Sequence, residues 1–508
     1  MRAIFVFPPF RLDAANEQLW RDSNLVDLRP KTFAVLLYLV QNAQRLVTKR
    51  ELLDSVWAGA SVSDELLRGY IRELRDALGD DAKKPGYIET VPTRGYRFLH
   101  LVNDESSVQS SSELKPAKAP RELRVGILHS LTGTMASTES PVVDATLLAI
   151  EEINERGGIR GREIQPIVID GASDELAFTL QAAALIAEAK VCVIFGCWTS
   201  ASRKSVLPIV EQQDHLLLYP TQYEGMEQCS NIFYTGSAPN QQIIPAVSWT
   251  VGFLRKKRFF LVGWNSVYSR AANAIIRDEV EASGGEIVGE EYVLPDSTEV
   301  TRVVRTIAQC GPDLIFNSLV GDMNLFYTRL LRAAGITPEK IPTVYFSVGE
   351  IELQSLSAAE IVGDYACWSY FQSLDRPENH EFVKRFRSRY GRQRVVADTM
   401  EAGYLGVHLW AKAADAAEPD DVAAIRRALP NQSFEAPGGR VRIDAENQHT
   451  WKTTRLGRIV EGGQFEIVWS SGKPIRPEPY PGSRSPTAWK EFLNNLYETW
   501  GGSWTKPR

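Results

Sequence analysis

From Leu123 onward, short runs of branched and aromatic residues recur: LRVGILH, IQPIVID, VCVIF, RFFLVG, DLIFN and TVYFS. Amphipathic stretches such as 142–156 and 177–189 lie between them. Short apolar runs bounded by polar turns are strands buried on both faces, and strands that alternate with helices assemble into a parallel sheet covered on both sides. About 380 residues are too many for one such sheet, so the pattern predicts two α/β lobes. Ligands of open α/β sheets sit beyond the carboxyl ends of the strands, which makes the residues after each run the place to look for a site.

Those residues are polar and aromatic. Gly196, Cys197, Trp198, Thr199 and Ser200 follow VCVIF; Tyr219, Pro220, Thr221, Gln222, Tyr223, Glu224 and Gly225 follow HLLL; Trp264, Asn265, Ser266, Val267 and Tyr268 end RFFLVGWNSVY. Gly321 and Asp322 follow DLIFNSLV, and Gly349 and Glu350 follow TVYFS. Hydroxyls of Ser200 and Thr221, aromatic walls from Trp198, Tyr219 and Tyr268, and an acceptor at Asp322 suit a small ligand bearing N–H and C=O groups. Equally, Ser200 and Thr221 could cap the next helices and the aromatics could fill the core.

The first hundred residues read differently. Short strand-like pieces pass into a helix opened by Pro30, with Phe33, Leu36, Leu37 and Val40 on one face. Thr48 and Glu51 are spaced as a capping box before Leu52, Leu53, Val56 and Trp57, so a second helix begins near Lys49. A third helix is predicted over 63–78. At about 100° per residue, Leu67, Ile71, Leu74 and Leu78 fall within about 60° of one another, and Arg68, Arg72 and Arg75 form a stripe roughly 100° away. YIETVPTRGYRFL then reads as a hairpin with Arg94 at its tip. These elements in this order describe a winged helix-turn-helix, whose helix enters the major groove where Arg pairs with guanine. Asp64 and Glu65 could instead neutralise Arg68 on a solvated helix face.

Between the two modules lies LVNDESSVQSSSELKPAKAP, residues 101–120, with five serines and two prolines, the composition of a flexible linker. The expected organisation is a DNA reader over 1–100, this linker, a two-lobed sensor over 121–490 and a carboxyl-terminal tail over 491–508. Prolines recurring through 472–486 forbid helix or central strand there and predict an extended strap.

Residues 1–100 hold 15 basic and 13 acidic side chains while the whole chain has a formal net charge of −6, which excludes a polycation that coats nucleic acid along its length. Five cysteines with no C-x-x-C make a disulfide scaffold or a zinc site unexpected, and no cofactor or metal is anticipated. The amino end is broken by Pro8, Pro9, Arg11 and Asp13, unlike a secretory signal, and no run of 18 apolar residues exists to span a bilayer. A soluble, cytoplasmic protein without membrane contact is expected.

Three motifs make the amino-terminal reading specific. Leu28-Arg29-Pro30-Lys31-Thr32-Phe33, LRGYIRELRDALGDD and GYIETVPTRGYRF resemble the OmpR/PhoB response-regulator type of winged-helix domain, in the variant at the amino end of membrane-anchored one-component activators. The resemblance implies a recognition helix over 63–78, a wing tipped by Arg94, and operator DNA as partner. A polar linker stands where those relatives have a membrane helix, so the sensed molecule is expected inside the cell.

Residues 122–490 resemble a type I periplasmic-binding-protein domain, through LHSLTGTMA, AIEEINERGGIRG, FGCWTSASRKSVLP, LYPTQYEG, NIFYTGSAPNQQ, NQHTWKT and PIRPEPYP. Within that class they are similar to the substrate-binding protein of urea ABC transporters and to the amide sensor of amidase operons. The resemblance implies that Ser200 and Thr221 bond the ligand, that Trp198 and Tyr219 wall it, and that Tyr268, Asp322 and Glu350 close on it from the second lobe. The loop Leu131 to Met135 would cover one side. FGCWTS and NQHTWKT look closer to the urea binder, whereas Thr221 is the amide sensor's choice.

The function that follows is a one-component transcription regulator, expected as a homo-oligomer, in which urea or a short aliphatic amide closes the lobes. A transport-associated binding protein for urea, amides or branched-chain amino acids is the alternative, disfavoured by the DNA reader and the missing signal. An amide hydrolase with Cys197 as nucleophile is a third, but no motif places His129 or His215 as its base.

Overall fold

The computed structural model describes residues 4–7, 10–14, 18–21, 24–26, 28–56, 64–81, 85–91, 94–100, 103–104, 122–293, 300–321 and 323–505. They divide into two units, Met1–Ala117 and Lys118–Arg508, with the division inside the serine-rich stretch.

In the first unit an antiparallel sheet runs in the order Asn24–Val26, Gln18–Arg21, Phe10–Asp13, Ile4–Phe7, Asn103–Asp104. Pro30 stands in the first turn of the helix Pro30–Gln41, and Thr48 and Glu51 close the anticipated capping box at the start of Lys49–Val56, with Glu51 N donating to Thr48 Oγ1 at 3.1 Å. The third helix runs Asp64–Leu78. Its Leu67, Ile71, Leu74 and Leu78 are buried against Phe33, Leu36 and Val40, so the helix is held by the apolar face its periodicity defines. The wing pairs Ile88–Val91 with Gly95–Phe98, and the latter also with Leu46–Thr48. Gly95 permits this: a Cβ there would lie 2.0 Å from the Val47 carbonyl oxygen. Ser63 and Trp57 lie outside the described residues.

The second unit has the two lobes that alternation demands. One holds a parallel sheet in the order Ile164–Asp170, Leu123–His129, Ile194–Gly196, Leu217–Tyr219, Ile232–Tyr234. The other runs Glu286–Val293, Arg258–Trp264, Leu314–Ser318, Thr343–Tyr345, Tyr365–Trp368, all parallel, and continues antiparallel through Arg455–Val460 and Gln464–Ser470. Each parallel part has its first strand inside and its second at the edge, so the direction of winding reverses beside Leu123–His129 in one lobe and beside Arg258–Trp264 in the other. The two reversal points are the carboxyl ends that carry Ser130 with Trp198, and Trp264 with Val320.

The chain passes between lobes near 237–242, 368–371 and 450–455. Side chains lace these crossings together: Ser237 Oγ to Ser369 Oγ at 2.8 Å, Gln241 Nε2 donating to Thr450 O at 3.0 Å, Thr454 Oγ1 to Gln241 O at 2.7 Å, and Gln242 Nε2 to Cys367 O at 2.8 Å. No helix among the described residues is long and apolar enough to cross a membrane.

The end of the chain departs from expectation. Residues expected as a tail over 491–508 continue the helix Pro486–Thr499, capped by Ser485, whose Trp489 and Leu493, followed by Trp500, are buried in the core of the second lobe. The apolar spacing of Trp489, Leu493 and Trp500 was present in the sequence, but its partner surface, around Ala271, Ile275 and Trp249, is assembled only by the fold. The proline-rich stretch before it carries no helix, and its Ile475 and Pro477 carbonyls accept from Gln241 and Asn447.

Candidate functional site

Three helices aim their amino ends at the space between the lobes. Asp174 caps Glu175–Ala187 by accepting from Ala177 N at 2.8 Å, Thr199 caps Ser200–Gln212 by accepting from Ser202 N at 3.0 Å, and Ser266 caps Val267–Ala282. Together with the strand ends they enclose a cavity of about 530 Å³ lined by Ser130, Thr134, Met135, Glu139, Trp198, Ser200, Thr221, Gln222, Trp264, Tyr268 and Trp504 among others. Among the described residues the lining contains Glu139, Asp174 and Glu175 and not one Lys, Arg or His. Converging helix amino ends present N–H groups and favour a carbonyl or carboxylate oxygen.

Four residues of the sequence-derived set line this cavity: Trp198, Ser200, Thr221 and Tyr268. The capping alternative does not hold for the two hydroxyls, because Thr199 is the cap of the helix that Ser200 starts and no helix follows Thr221. Thr221 Oγ1 and Tyr268 Oη are buried without a hydrogen-bond partner among the described residues, as are Gln222 Oε1 and Trp264 Nε1. Burial pushes the Tyr268 phenol up, so it stays a neutral donor.

Two others are placed elsewhere. Tyr219, fully buried, lies behind the wall, donating to Trp198 O at 2.6 Å with the Arg203 guanidinium 4.8 Å over its ring. Glu350 is not among the lining residues. It is buried, it accepts from Gln372 N at 2.6 Å, and burial raises its carboxyl to about 8, so it is protonated at neutral pH. Its position after a strand was right, but the backbone of Gln372 takes its oxygen. Asp322 lies outside the described residues. Thr134 and Met135 of the anticipated covering loop line the cavity, and Asp170 holds that loop by accepting from Leu131 N, Thr132 N and Thr132 Oγ1. Burial pushes the Asp170 carboxyl up, but these bonds and one from Ala172 outweigh it and leave it lowered.

Beneath Ser200 lies a neutral cluster of two cations and two carboxylates. Arg203 Nε donates to Glu227 at 2.8 Å and its NH2 to Glu224 at 3.0 Å, Lys204 Nζ bonds Glu227 at 2.9 Å, and Ser200 Oγ donates to Glu224. Sequence reading passed over Glu139, Glu227 and Trp504, and placed Glu224 and Trp264 at strand ends without giving them a role. Trp264 and Glu139 stand beside strand ends and helix starts that the topology rule covers, while Trp504 offered no signal. Cys197 is fully buried, does not line the cavity, and burial pushes its thiol far up, which removes the thiolate a nucleophile requires.

In the first unit, Arg68 and Arg72 are exposed on Asp64–Leu78, with no hydrogen bond or ion pair among the described residues, and Arg94 is exposed at the wing. Arg75 differs: it is half-buried, and its NH2 donates to Ile88 O and to Thr90 Oγ1, both at 2.8 Å. It fastens the helix to the wing, a correction to its placement on the DNA-facing stripe.

Comparison with known proteins agrees with both units. Residues 23–98 match the family "transcriptional regulatory protein, C terminal", and residues 123–486 match the periplasmic binding protein domain. A limonene hydroxylase of Geobacillus stearothermophilus is 39% identical over 117 residues, 23% of this chain and 21% of that protein. The transcriptional regulator HilA of Salmonella typhimurium is 43% identical over 94 residues, 18% of this chain and 17% of that protein. This chain thus spans about a fifth of the length of these two relatives. Among solved structures, an ABC-transporter solute binding protein from R. palustris in complex with benzoate superposes with a TM-score of 0.64 at 20% identity, covering 71% of this chain and 99% of that one. The branched-chain amino acid transporter substrate binding protein of Streptococcus pneumoniae in complex with isoleucine gives 0.62 at 21% identity, covering 70% and 100%. With a match over most of its length, the chain belongs to the periplasmic binding protein domain family and carries at its amino end a winged-helix domain of the OmpR/PhoB transcriptional regulatory type.

Proposed function

We propose that this protein is a one-component transcription regulator of the cell interior that senses urea or a short aliphatic amide and answers by changing how its winged helices, paired in a homo-oligomer, engage operator DNA. The observation that carries the ligand reading is the lining of the cavity: buried, unpartnered hydrogen-bonding atoms on Thr221, Gln222, Trp264 and Tyr268, with no basic side chain among the residues that form it. A neutral ligand needs donors for its carbonyl and an acceptor for its N–H groups, and gains most where those protein groups are otherwise left unpaired. A ligand that touches Ser200 and Thr221 on one lobe and Trp264 and Tyr268 on the other stabilises the closed arrangement by its differential contacts. Asp322 is proposed as a further acceptor from the second lobe. Arg68, Arg72 and Arg94 are proposed as the DNA contacts.

A second reading has a specific observation behind it. Three helix amino ends and the rings of Trp198, Trp264 and Tyr268 also suit a small aromatic carboxylate, whose charge the helix dipoles would offset.

Titration calorimetry of the full chain with urea, formamide, acetamide, benzoate, leucine and valine separates them. Micromolar or tighter binding of urea or an amide is expected, with little heat from leucine or valine. Saturable binding of benzoate or leucine with none of the neutral probes would move the ligand to the carboxylate class. Ser200→Ala and Thr221→Val should each weaken the neutral probe several-fold, since each bond contributes about 0.5–1.5 kcal/mol. Glu350→Gln should change affinity less than about two-fold, because a protonated carboxyl away from the cavity is replaced by a group of like shape. A large loss in that variant would return Glu350 to the site.

A further inference from the structure

We propose that Trp504 is a ligand-contacting wall of the cleft and a latch between the lobes, so that the carboxyl-terminal strap decides how large a ligand is accepted and how long it is held. The match to the binding-protein family ends at residue 486, and Trp504 lies beyond it, yet its side chain and Thr505 line the cavity. The strap has a firm base: Pro486–Thr499 packs through Trp489 and Leu493 into the second lobe, and Arg484 forms a two-bonded ion pair with Asp278 at 2.7 Å for each bond. Gly501 and Gly502, at φ of +69° and +84°, turn the chain back toward the cleft.

Two contacts then fix Trp504 to opposite lobes. Its carbonyl accepts from Val267 N at 3.1 Å, and Thr505 bridges Ser266, at the helix start that lines the cavity from the second lobe. Its ring lies 4.6 Å from the Lys204 ammonium of the first lobe, and Lys204 is itself held by Glu227 at 2.9 Å. Tyr497 also packs on the indole, 4.5 Å between ring centres. Opening the cleft moves Lys204 away from Val267, and the indole cannot follow both. It must therefore give up its cation–π contact or its backbone bond when a ligand leaves. The identity of that ligand rests on the reading above; the latch does not.

The test uses the full chain, Trp504→Ala and Trp504→Phe, with two readouts. Hydrogen exchange without ligand should be at least five-fold faster in Trp504→Ala for peptides spanning 199–206 and 264–270, unchanged elsewhere in the unit, and largely restored in Trp504→Phe. With acetamide and benzamide as probes, Trp504→Ala should release acetamide at least ten-fold faster with association changed less than three-fold, and should bind benzamide more tightly than the wild type. Unaltered exchange in both segments overturns the latch, and so does acetamide release at the wild-type rate. Failure of acetamide to bind the wild type strikes the amide reading, and the exchange result then decides the latch alone; benzamide bound no more tightly by Trp504→Ala than by the wild type overturns the control of ligand size.

Discussion

Arg203→Leu is expected to destabilise the binding unit by about 3–5 kcal/mol, the cost of leaving buried charges without their partner. Arg203 and Glu224 are fully buried, and Glu227 nearly so. The guanidinium joins both carboxylates and lies over Tyr219 and Tyr223 at 4.8 and 4.5 Å, so its removal leaves two buried carboxylates to the single cation Lys204 and uncovers two aromatic faces. Burial alone would raise the Glu227 carboxyl, yet Arg203 and Lys204 hold it far below the ordinary carboxylate range. With its folded pKa depressed, Glu227 supports the fold at all pH above the ordinary carboxylate range and loses that contribution only in strong acid. Thermal or guanidinium unfolding of the full chain measures the effect; urea is avoided because it is a proposed ligand. A midpoint within a degree of wild type would mean that the cluster does not hold the lobe together. Ligand affinity should fall as well, because Glu224 positions the Ser200 hydroxyl.

Arg68→Ala and Arg72→Ala are each expected to lower affinity for the operator by about 1–3 kcal/mol while leaving the weak binding of unrelated duplex much less affected. Both are exposed on the helix that a winged-helix domain inserts into the major groove. Arg75→Ala should behave otherwise. It loses its bonds to Ile88 and Thr90, so it should loosen the wing and lower the melting temperature of the amino-terminal unit. Fluorescence anisotropy on a duplex selected from a random pool, run beside the same duplex scrambled, checks all three. Wild-type affinity in both Arg68→Ala and Arg72→Ala would take the helix out of the groove.

Local pattern carried most of the architecture. Spacing alone defined the buried face of Asp64–Leu78, the capping box at Thr48, and the strand ends that line the cavity, because each depends on residues a few positions apart. Where position after a strand was the whole argument, Trp198, Ser200, Thr221 and Tyr268 line the cavity while Tyr219 and Glu350 do not. A strand end points outward, but whether the side chain faces the cleft or a neighbouring backbone depends on what packs beside it. Tyr219 turns to the Trp198 carbonyl and Glu350 to the Gln372 amide.

Composition and spacing carried the division into two units, the helix and strand periods, the two lobes and the polar, hydroxyl-rich character of the strand ends, all properties of short windows. What distant segments do to one another emerged from folding: Arg75 drawn to the wing 13 residues away, Arg203 set between Glu224 and Glu227, and Trp504 brought about 300 residues along the chain to Lys204. Contacts of that kind leave no periodic trace, since their energy depends on three-dimensional approach and burial rather than on neighbours in the chain.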